Sequence, residues 1–290
     1  MKKLIFALPG NETLSENLVK LTGAEKGELL VHKFPDGESL VQLKSEVAGK
    51  EIVMVCTLHQ PDKKLLPLYF LAKELRNLHA VKITLVAPYL AYMRQDKAFH
   101  PGEVVTSKCF AELLSGLVDE LITIDPHLHR WKTMRDIYTI PCNVLHASGL
   151  IANYIKNHIA KPVLIGPDSE SEQWVSEVAK QAEAPFLVLE KVRRGDDNVQ
   201  VSVPQVAQFK DPTPVLVDDI ISTAHTMIET VNHLKNAGMK PATCIGVHAI
   251  FAGNAYDALK ETGVEIITCN TIPHRSNRID LSELIAEALK

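Results

Sequence analysis

The chain has 290 residues, of which 46% are hydrophobic and 23% are charged, and its formal net charge is −4. This length is typical of two domains that each bury a core, and the slight acidic excess excludes the broad basic surface of a nucleic-acid-binding protein. The amino-terminal apolar run stops at Pro9, and no apolar stretch approaches the roughly 20 residues that span a bilayer, so we expect no secretion signal and no membrane segment.

Short apolar runs alternate with amphipathic stretches along the whole chain. Strands are predicted at residues 4–8, 51–56, 81–87, 120–124, 163–165, 186–189, 215–217, 243–249 and 265–268. Helices are predicted at residues 62–78, 107–114, 148–158, 171–183, 226–237, 254–262 and 281–289. This alternation predicts an α/β fold with two Rossmann-like domains on parallel sheets. Turn-forming residues cluster at 141–148, which divides the chain into domains at 1–143 and 144–290.

The cysteines give no sign of pairing or of zinc binding. There are five of them, an odd number, and none lies in a Cys-x-x-Cys spacing. Buried free thiols are the simpler interpretation for those at the ends of apolar strands. We therefore expect the protein in a reducing cytoplasm.

The most informative segment follows the strand predicted at 215–217. Two carboxylates, Asp218 and Asp219, come first, and a loop rich in Ser and Thr leads into the next helix. Backbone N–H groups at the start of a helix bind phosphate, while carboxylates accept hydrogen bonds from vicinal hydroxyls. An ordinary Ser- or Thr-capped helix is the alternative, but capping does not explain two adjacent acids. The segment therefore predicts a sugar phosphate site made by Asp218, Asp219, Ser222, Thr223, Ala224, His225 and Thr226.

This segment resembles the phosphoribosyl-binding motif of type I phosphoribosyltransferases and of ribose-phosphate pyrophosphokinases, and the rest of the chain is similar to the second family. The other matching segments, in the family's order, are Phe34-Pro35-Asp36-Gly37-Glu38, Tyr92-Met93-Arg94-Gln95-Asp96-Lys97 with Gly102, Glu103 and Lys108, Ile124-Asp125-Pro126-His127, Ile165-Gly166-Pro167-Asp168 and Glu190-Lys191-Val192-Arg193. The sequence of residues 99–103 is more similar to that of archaeal-type members. The resemblance implies two type I phosphoribosyltransferase-like domains, a tail that packs on the first of them, and transfer of pyrophosphate from ATP to ribose 5-phosphate.

The resemblance also implies how the nucleotide is bound. Arg94 and Gln95 would contact the phosphates and base of ATP, and Lys97 belongs to the same loop. Arginine suits this role because its planar guanidinium binds phosphate oxygens in pairs. A neighbouring subunit would supply Phe34, Asp36 and Glu38 to hold the adenine, which implies a homodimer at least and, by family, a hexamer. Judged alone, the segment around Phe34 is typical of a surface turn.

The resemblance also implies that two further pairs of residues take part in the reaction. His127 and Asp168 would ligate Mg²⁺, although histidine is an unusual ligand for that ion. Lys191 and Arg193 would stabilise the charge that develops on the transferring phosphoryl oxygens, in a loop that closes over the triphosphate. Without the resemblance, His127 reads as a loop histidine and the two cations as a solvated basic turn.

The chain departs from the family's pattern at two positions near the sugar. His225 and Glu170 stand where the family usually has glycine, and glycine at the first position would permit a positive φ. Three alternatives therefore stay open: a phosphoribosyltransferase, a non-catalytic regulatory subunit of a synthase, and an enzyme with an altered sugar phosphate acceptor. The loops around Arg94 and Lys191 argue against the first, since phosphoribosyltransferases lack them.

Overall fold

The structure is a computed structural model that describes residues 3–166, 171–193, 199–202 and 211–290. The chain divides into two compact units. The first comprises Met1–Leu145, Thr271–Pro273 and Leu281–Lys290, and the second comprises His146–Asn270 and His274–Asp280. The boundary predicted at 143/144 falls inside a strand that the structure assigns to the first unit.

Residues 3–145 of the first unit form eight strands, with three α-helices and one short 3₁₀ helix (Met134–Asp136) between them. They are β1 (Lys3–Ala7), α1 (Glu12–Thr22), β2 (Glu25–Lys26), β3 (Leu29–Lys33), β4 (Ser39–Leu43), β5 (Glu51–Val55), α2 (Asp62–Asn77), β6 (Lys82–Ala87), α3 (Thr106–Ser115), β7 (Glu120–Ile124) and β8 (Cys142–Leu145). A parallel sheet has the order β2-β1-β5-β6-β7-β8, and β3 pairs with β4 as a separate antiparallel hairpin.

The second unit repeats this design, and a last helix follows it. The elements are α4 (Ser148–His158), β9 (Pro162–Gly166), α5 (Glu172–Ala182), β10 (Phe186–Val188), β11 (Glu190–Arg193), β12 (Val199–Ser202), β13 (Thr213–Ile221), α6 (His225–Asn236), β14 (Thr243–Ala249), α7 (Ala255–Glu261), β15 (Glu265–Cys269), β16 (Asn277–Ile279) and α8 (Ser282–Ala288). The sheet order is β10-β9-β13-β14-β15-β16, all parallel, and β11 pairs with β12 as an antiparallel hairpin. The predicted α/β fold with parallel sheets is confirmed.

Each sheet has its own core, built from the apolar runs that predicted the strands. In the first unit, Phe6, Met54 and Leu85 are fully buried under helices. In the second, all seven residues of β14 are buried. Strands covered on both faces are nearly continuous apolar runs, and each fully buried large side chain contributes roughly 1.5–3 kcal/mol relative to exposure. The polar residues that follow these strands are therefore placed by a rigid frame.

The end of the chain packs on the first unit. Helix α8 lies against α1, where Asn17 Nδ2 donates to Ser282 Oγ at 3.2 Å. Ile285 of α8 is buried. Upstream, Thr57 Oγ1 donates to the carbonyl oxygen of Thr271 at 2.6 Å. The first unit is thus completed by two late segments, one just before the last strand of the second sheet and one after it.

Two further observations concern membrane-spanning helices and disulfide bonds. No helix in the described ranges is long and apolar enough to cross a membrane. All five cysteines are free thiols, of which Cys56, Cys244 and Cys269 are buried.

Candidate active site

The paired acids lie inside a strand, which corrects the sequence prediction. Strand β13 was predicted to end at residue 217, but it continues through Asp218 and Asp219 to Ile221. It pairs with β14 along this extension, with Asp218 opposite Gly246, whereas its pairing with β9 reaches only Leu216. Backbone pairing with β14 explains why the strand runs on past the apolar residues. Both acids are half-buried, and Asp218 Oδ1 accepts a hydrogen bond of 3.0 Å from the Asp219 N–H.

The turn after β13 has its left-handed residue one position earlier than expected. Helix α6 begins at His225 rather than at Thr226, and its N-cap is Ala224, with φ 59° and ψ 5°. His225 is therefore an exposed first helical residue with ordinary backbone angles. The expected backbone strain from a histidine at a glycine position is wrong, because the strain falls on the buried Ala224 instead.

The amino end of α6 presents unused backbone donors. Ser222 uses its carbonyl oxygen to accept from the Ala252 N–H at 3.1 Å, and the first helical bond runs from the Ile228 N–H to the Ala224 oxygen at 2.9 Å. Within the described part of the chain, no acceptor is found for the N–H groups of residues 223–227. Such groups, together with the helix dipole, favour an anion at this position. The Thr223 and Thr226 hydroxyls add further donors.

The loop between β6 and α3 carries the residues predicted to bind a nucleotide. Arg94 is exposed, and the buried Met93 beside it fixes the chain to the core. Tyr92 has a positive φ of 64°, and its hydroxyl donates to Asp62 Oδ1 at 2.6 Å. This bond to a carboxylate raises the pKa of Tyr92 above its ordinary value. The Tyr92 ring also packs on Phe110 at 4.8 Å between centroids. The loop is thus anchored to both flanking helices.

Gln95 and Lys97 are held by contacts inside the same loop. The Gln95 side chain donates to Glu103 and accepts from Thr106. The Lys97 ammonium lies over the Phe99 ring, 4.4 Å from its centroid. These two side chains are therefore ordered before any ligand binds, whereas Arg94 is left facing solvent.

The segment around Phe34 is the turn of the β3–β4 hairpin. The Phe34 N–H donates to the Glu38 oxygen at 2.8 Å, and Gly37 takes a positive φ of 96°. Asp36 Oδ1 accepts from the Glu38 N–H at 3.0 Å, so this carboxylate shapes the turn. Phe34 is 40% exposed, as are Leu30 and Leu40 on the strands. A turn was the interpretation of this segment by itself, and the hairpin presents its aromatic and acidic side chains to solvent.

The predicted metal ligands follow their strands as expected, so far as they are described. His127 lies just after β7 with φ 53°, and Asp125 two residues before it has φ 37°. Two left-handed non-glycine residues in one short loop are uncommon and typical of functional sites. Asp168 and Glu170 lie outside the described residues. Among the residues that are described, no group of three or more potential metal ligands is found.

The predicted catalytic cations lie in a strand, not in a loop. Lys191 and Arg193 belong to β11, where they pair in register with Val201 and Val199 of β12. The Gly- and Asp-containing stretch at 194–198 lies outside the described residues. Closure of this segment over a substrate stays a prediction.

A polar pair that the sequence analysis missed lies at the carboxyl end of β5. The Lys64 ammonium donates to the Thr57 oxygen at 2.7 Å and to His59 Nδ1 at 3.0 Å. Burial, and then the charge of Lys64, lower the pKa of His59 to about 4, and burial lowers that of Lys64. The sequence does carry a signal for this pair, because His59 follows a predicted strand and Lys64 lies in the first turn of the next predicted helix.

An open depression on the second unit lies at the opposite edge of its sheet. It is lined at the amino end of β9 by Lys156, Pro162, Glu183 and Pro185. Ligands of parallel α/β sheets bind beyond the carboxyl ends of the strands, where the loop after β13 lies. This depression therefore does not mark the reaction site.

Two parallel sheets, with an acid-bearing strand that leads into a helix start with unused backbone donors, are the features of the phosphoribosyltransferase-fold class. Residues 3–117 match the N-terminal domain of ribose phosphate pyrophosphokinase, and residues 134–283 match the phosphoribosyl transferase domain. The chain belongs to the ribose-phosphate pyrophosphokinase family.

Individual relatives cover nearly the whole chain. The ribose-phosphate pyrophosphokinase of Methanobrevibacter smithii is 33% identical over 89% of this chain and 90% of its own length. That of Saccharolobus solfataricus is 31% identical over 95% of this chain and 96% of its own. The crystal structure of phosphoribosylpyrophosphate synthetase from Mycobacterium smegmatis superposes with a TM-score of 0.87 at 23% identity, covering 100% of this chain and 98% of that one. The expected resemblance, including its archaeal character, is confirmed.

Proposed function

We propose that this protein transfers the pyrophosphoryl group of ATP to ribose 5-phosphate. The anomeric hydroxyl oxygen of the sugar forms a bond to the β-phosphorus, the bond from that phosphorus to the oxygen bridging to the α-phosphate breaks, and AMP leaves. The hydroxyl proton is lost to solvent. The products are phosphoribosyl pyrophosphate and AMP, and no nucleophile from the protein is needed. Catalysis of this kind rests on positioning and on charge stabilisation.

The observation that carries the proposal is the segment from β13 to α6. The unused N–H groups of residues 223–227 suit a phosphate dianion, and Asp218 and Asp219 precede them by a few residues. A phosphate alone would be repelled by two carboxylates, whereas a sugar phosphate offers hydroxyl donors to them and an anion to the helix. Ribose 5-phosphate has both groups at opposite ends.

ATP is the proposed donor, and the β6–α3 loop is its proposed site. Arg94 is exposed and matched to phosphate oxygens by its geometry, while Gln95 and Lys97 are ordered beside it. We propose that Phe34, Asp36 and Glu38 reach the adenine of a neighbouring copy, which requires a homo-oligomer, a dimer or a hexamer. The solvent exposure of Phe34 and of the apolar residues on the same hairpin supports this role.

Mg²⁺ is the proposed cofactor, held by His127 and Asp168. A set of only two protein ligands fits Mg²⁺, which keeps several waters and takes further oxygens from phosphates. The strained backbone at His127 supports a functional role for its side chain. When bound, the ion would neutralise charge on the triphosphate. Lys191 and Arg193 are proposed to do the same for the transferring group as its charge develops.

A cytoplasmic location fits this reaction. ATP is supplied there, and the five free thiols would stay reduced.

The test is AMP release by the purified protein from ATP and Mg²⁺, with and without ribose 5-phosphate. We expect release that depends on the sugar phosphate and a product that a phosphoribosyltransferase consumes. Asp218→Asn should raise the KM for ribose 5-phosphate by about 10- to 100-fold, since hydrogen bonds to a charged group contribute roughly 1.5–3 kcal/mol. Asp211→Asn is the control, because this exposed acid pairs with Lys161 and Lys240 at the far edge of the sheet.

The other outcomes are equally specific. AMP release that needs a different sugar phosphate would establish an altered acceptor. Bound ATP without any turnover, together with binding to an active synthase, would establish a regulatory subunit and overturn the proposal.

A further inference from the structure

The Glu103 carboxylate binds back onto its own loop with both oxygens. Oε2 accepts from the backbone N–H groups of Phe99 at 2.6 Å and His100 at 2.9 Å. Oε1 accepts from the Gln95 side-chain amide at 3.2 Å. The bonds from His100 and Phe99 hold the pKa of Glu103 below its ordinary value. One carboxylate thus closes residues 95–103 into a ring.

The side-chain amide of Gln95 is hydrogen-bonded at both ends. While Nε2 donates to Glu103, Oε1 accepts from the Thr106 hydroxyl at 2.9 Å. The Gln95 carbonyl oxygen also accepts from the Ser107 N–H at 3.3 Å, at the start of α3. These two hydrogen bonds, one at each end of the amide, fix the orientation of the Gln95 side chain.

Lys97 depends on the same carboxylate through Phe99. The Lys97 ammonium lies over the Phe99 ring, and the Phe99 backbone is held by its bond to Glu103. Phe99 is 63% exposed, so few packing contacts keep its ring in place. Without the Glu103 bond, this ring and the ammonium above it lose their support.

We propose that Glu103 is a positioning residue for nucleotide binding, which orders Gln95 directly and Lys97 through Phe99. The inference rests on the proposed role of this loop in binding ATP. Both oxygens of Glu103 are used inside the loop, so the proposed role is indirect. Its contribution is to order the two side chains in advance, so that their conformational entropy is not lost when the nucleotide binds.

The isosteric change Glu103→Gln tests this role. A glutamine has one acceptor oxygen and one NH₂ group. Its NH₂ group would therefore face either the Gln95 amide or the N–H groups of Phe99 and His100, which are donors themselves. We expect the Kd and the KM for ATP to rise about tenfold, with kcat and the KM for ribose 5-phosphate within twofold of wild type. Glu112→Gln, at an exposed position on α3, is the matched control and should change none of these.

Two further measurements separate positioning from general stability. Amide hydrogen exchange at Phe99 and His100 should speed up in Glu103→Gln, with the thermal midpoint unchanged. In a double-mutant cycle, Thr106→Val should weaken ATP binding in the wild type but have little effect once Gln95 is alanine. A lowered thermal midpoint with both KM values raised would show a purely structural role and overturn the proposal.

The proposed function and this inference fail differently. A wild-type protein that neither binds ATP nor releases AMP contradicts the proposed function. A wild-type protein that does both, with unchanged ATP affinity in Glu103→Gln, contradicts the positioning role alone.

Discussion

Gly246 lies against the side chain of Ile221: a Cβ atom on Gly246 would come within 2.6 Å of Ile221 Cγ1. Gly246 is also the residue opposite Asp218 in the β13–β14 pairing, and Ile221 ends β13 just before the turn into α6. The absence of a side chain at residue 246 therefore leaves the room that Ile221 occupies. This close approach links the packing of the second sheet to its proposed sugar phosphate site.

Gly246→Ala should displace Ile221 and the turn that follows it. We expect a loss of about 1–3 kcal/mol in the free energy of unfolding, typical of overpacking, and a higher KM for ribose 5-phosphate. Gly149→Ala is the control, because its added Cβ would meet only the movable end of Gln181 and lies in a helix that favours alanine. Denaturation and steady-state kinetics measure both effects. An unchanged KM would show that the turn does not depend on this contact.

Ala224→Val tests the left-handed residue at the start of α6. A β-branched residue at φ 59° in a buried position should cost about 1–3 kcal/mol of stability. The same change at the next residue, His225→Val, should cost under about 1 kcal/mol, because that residue is exposed and helical. Thermal or chemical unfolding compares the two variants. Equal losses would contradict the placement of the turn.

Lys191→Ala tests the role proposed for β11. Loss of a cation that stabilises the transferring group should lower kcat by about 10²- to 10³-fold. ATP affinity, measured by calorimetry, should change much less, since the charge develops only in the transition state. Lys180→Ala, on the exposed side of α5, should leave kcat unchanged. Activity that survives in Lys191→Ala would remove this residue from the mechanism.

His59 should make the protein less stable in mild acid. Its pKa in the folded chain is about 4, below the ordinary value near 6.5. Between those pH values the unfolded chain binds a proton that the folded chain does not, so this contribution to the free energy of unfolding falls as the pH falls from about 6.5 towards 4. In His59→Asn the amide oxygen still accepts from Lys64, and this part of the pH dependence should disappear.

The measurement is the unfolding midpoint at pH 7.5 and at pH 5 in wild type and variant. His79→Asn is the control, because His79 is exposed and its φ of 59° suits asparagine. A wild-type acid shift that His59→Asn reproduces in full would contradict the assignment.

The sequence predicted the strands that are apolar throughout and the helices between them, because burial on both faces leaves a strong pattern. It missed α1, although Leu14 and Leu18 lie at helical spacing and Gly23 ends the helix. It also missed the β3–β4 hairpin, whose exposed Leu30 and Leu40 blur the alternation of buried and exposed residues. Helix α1 is covered by the distant α8, and no residue of β3 or β4 is buried, so neither element leaves the strong local pattern of a core strand.

At the candidate site, the structure corrects the backbone that the sequence predicted, while the roles of the residues stay predictions. The acids of β13 were taken to end the strand because they are charged, but pairing with β14 carries the strand through them. The left-handed position was placed at His225 from a family glycine, and it belongs to Ala224. The hydrogen bonds that hold the Gln95 side chain join it to Glu103 and Thr106, and only the folded loop brings these three residues together.

The return of the chain's end to the first unit has a consequence for synthesis. The amino-terminal sheet emerges from the ribosome first, yet α1 lacks its partner helix, and Thr57 its acceptor at Thr271, until residues 271–290 have been made. The second sheet itself needs β16, which ends at Ile279, so neither unit has all of its residues until this same stretch has been made. The first unit, whose sheet residues are synthesised first, therefore cannot complete its packing ahead of the second.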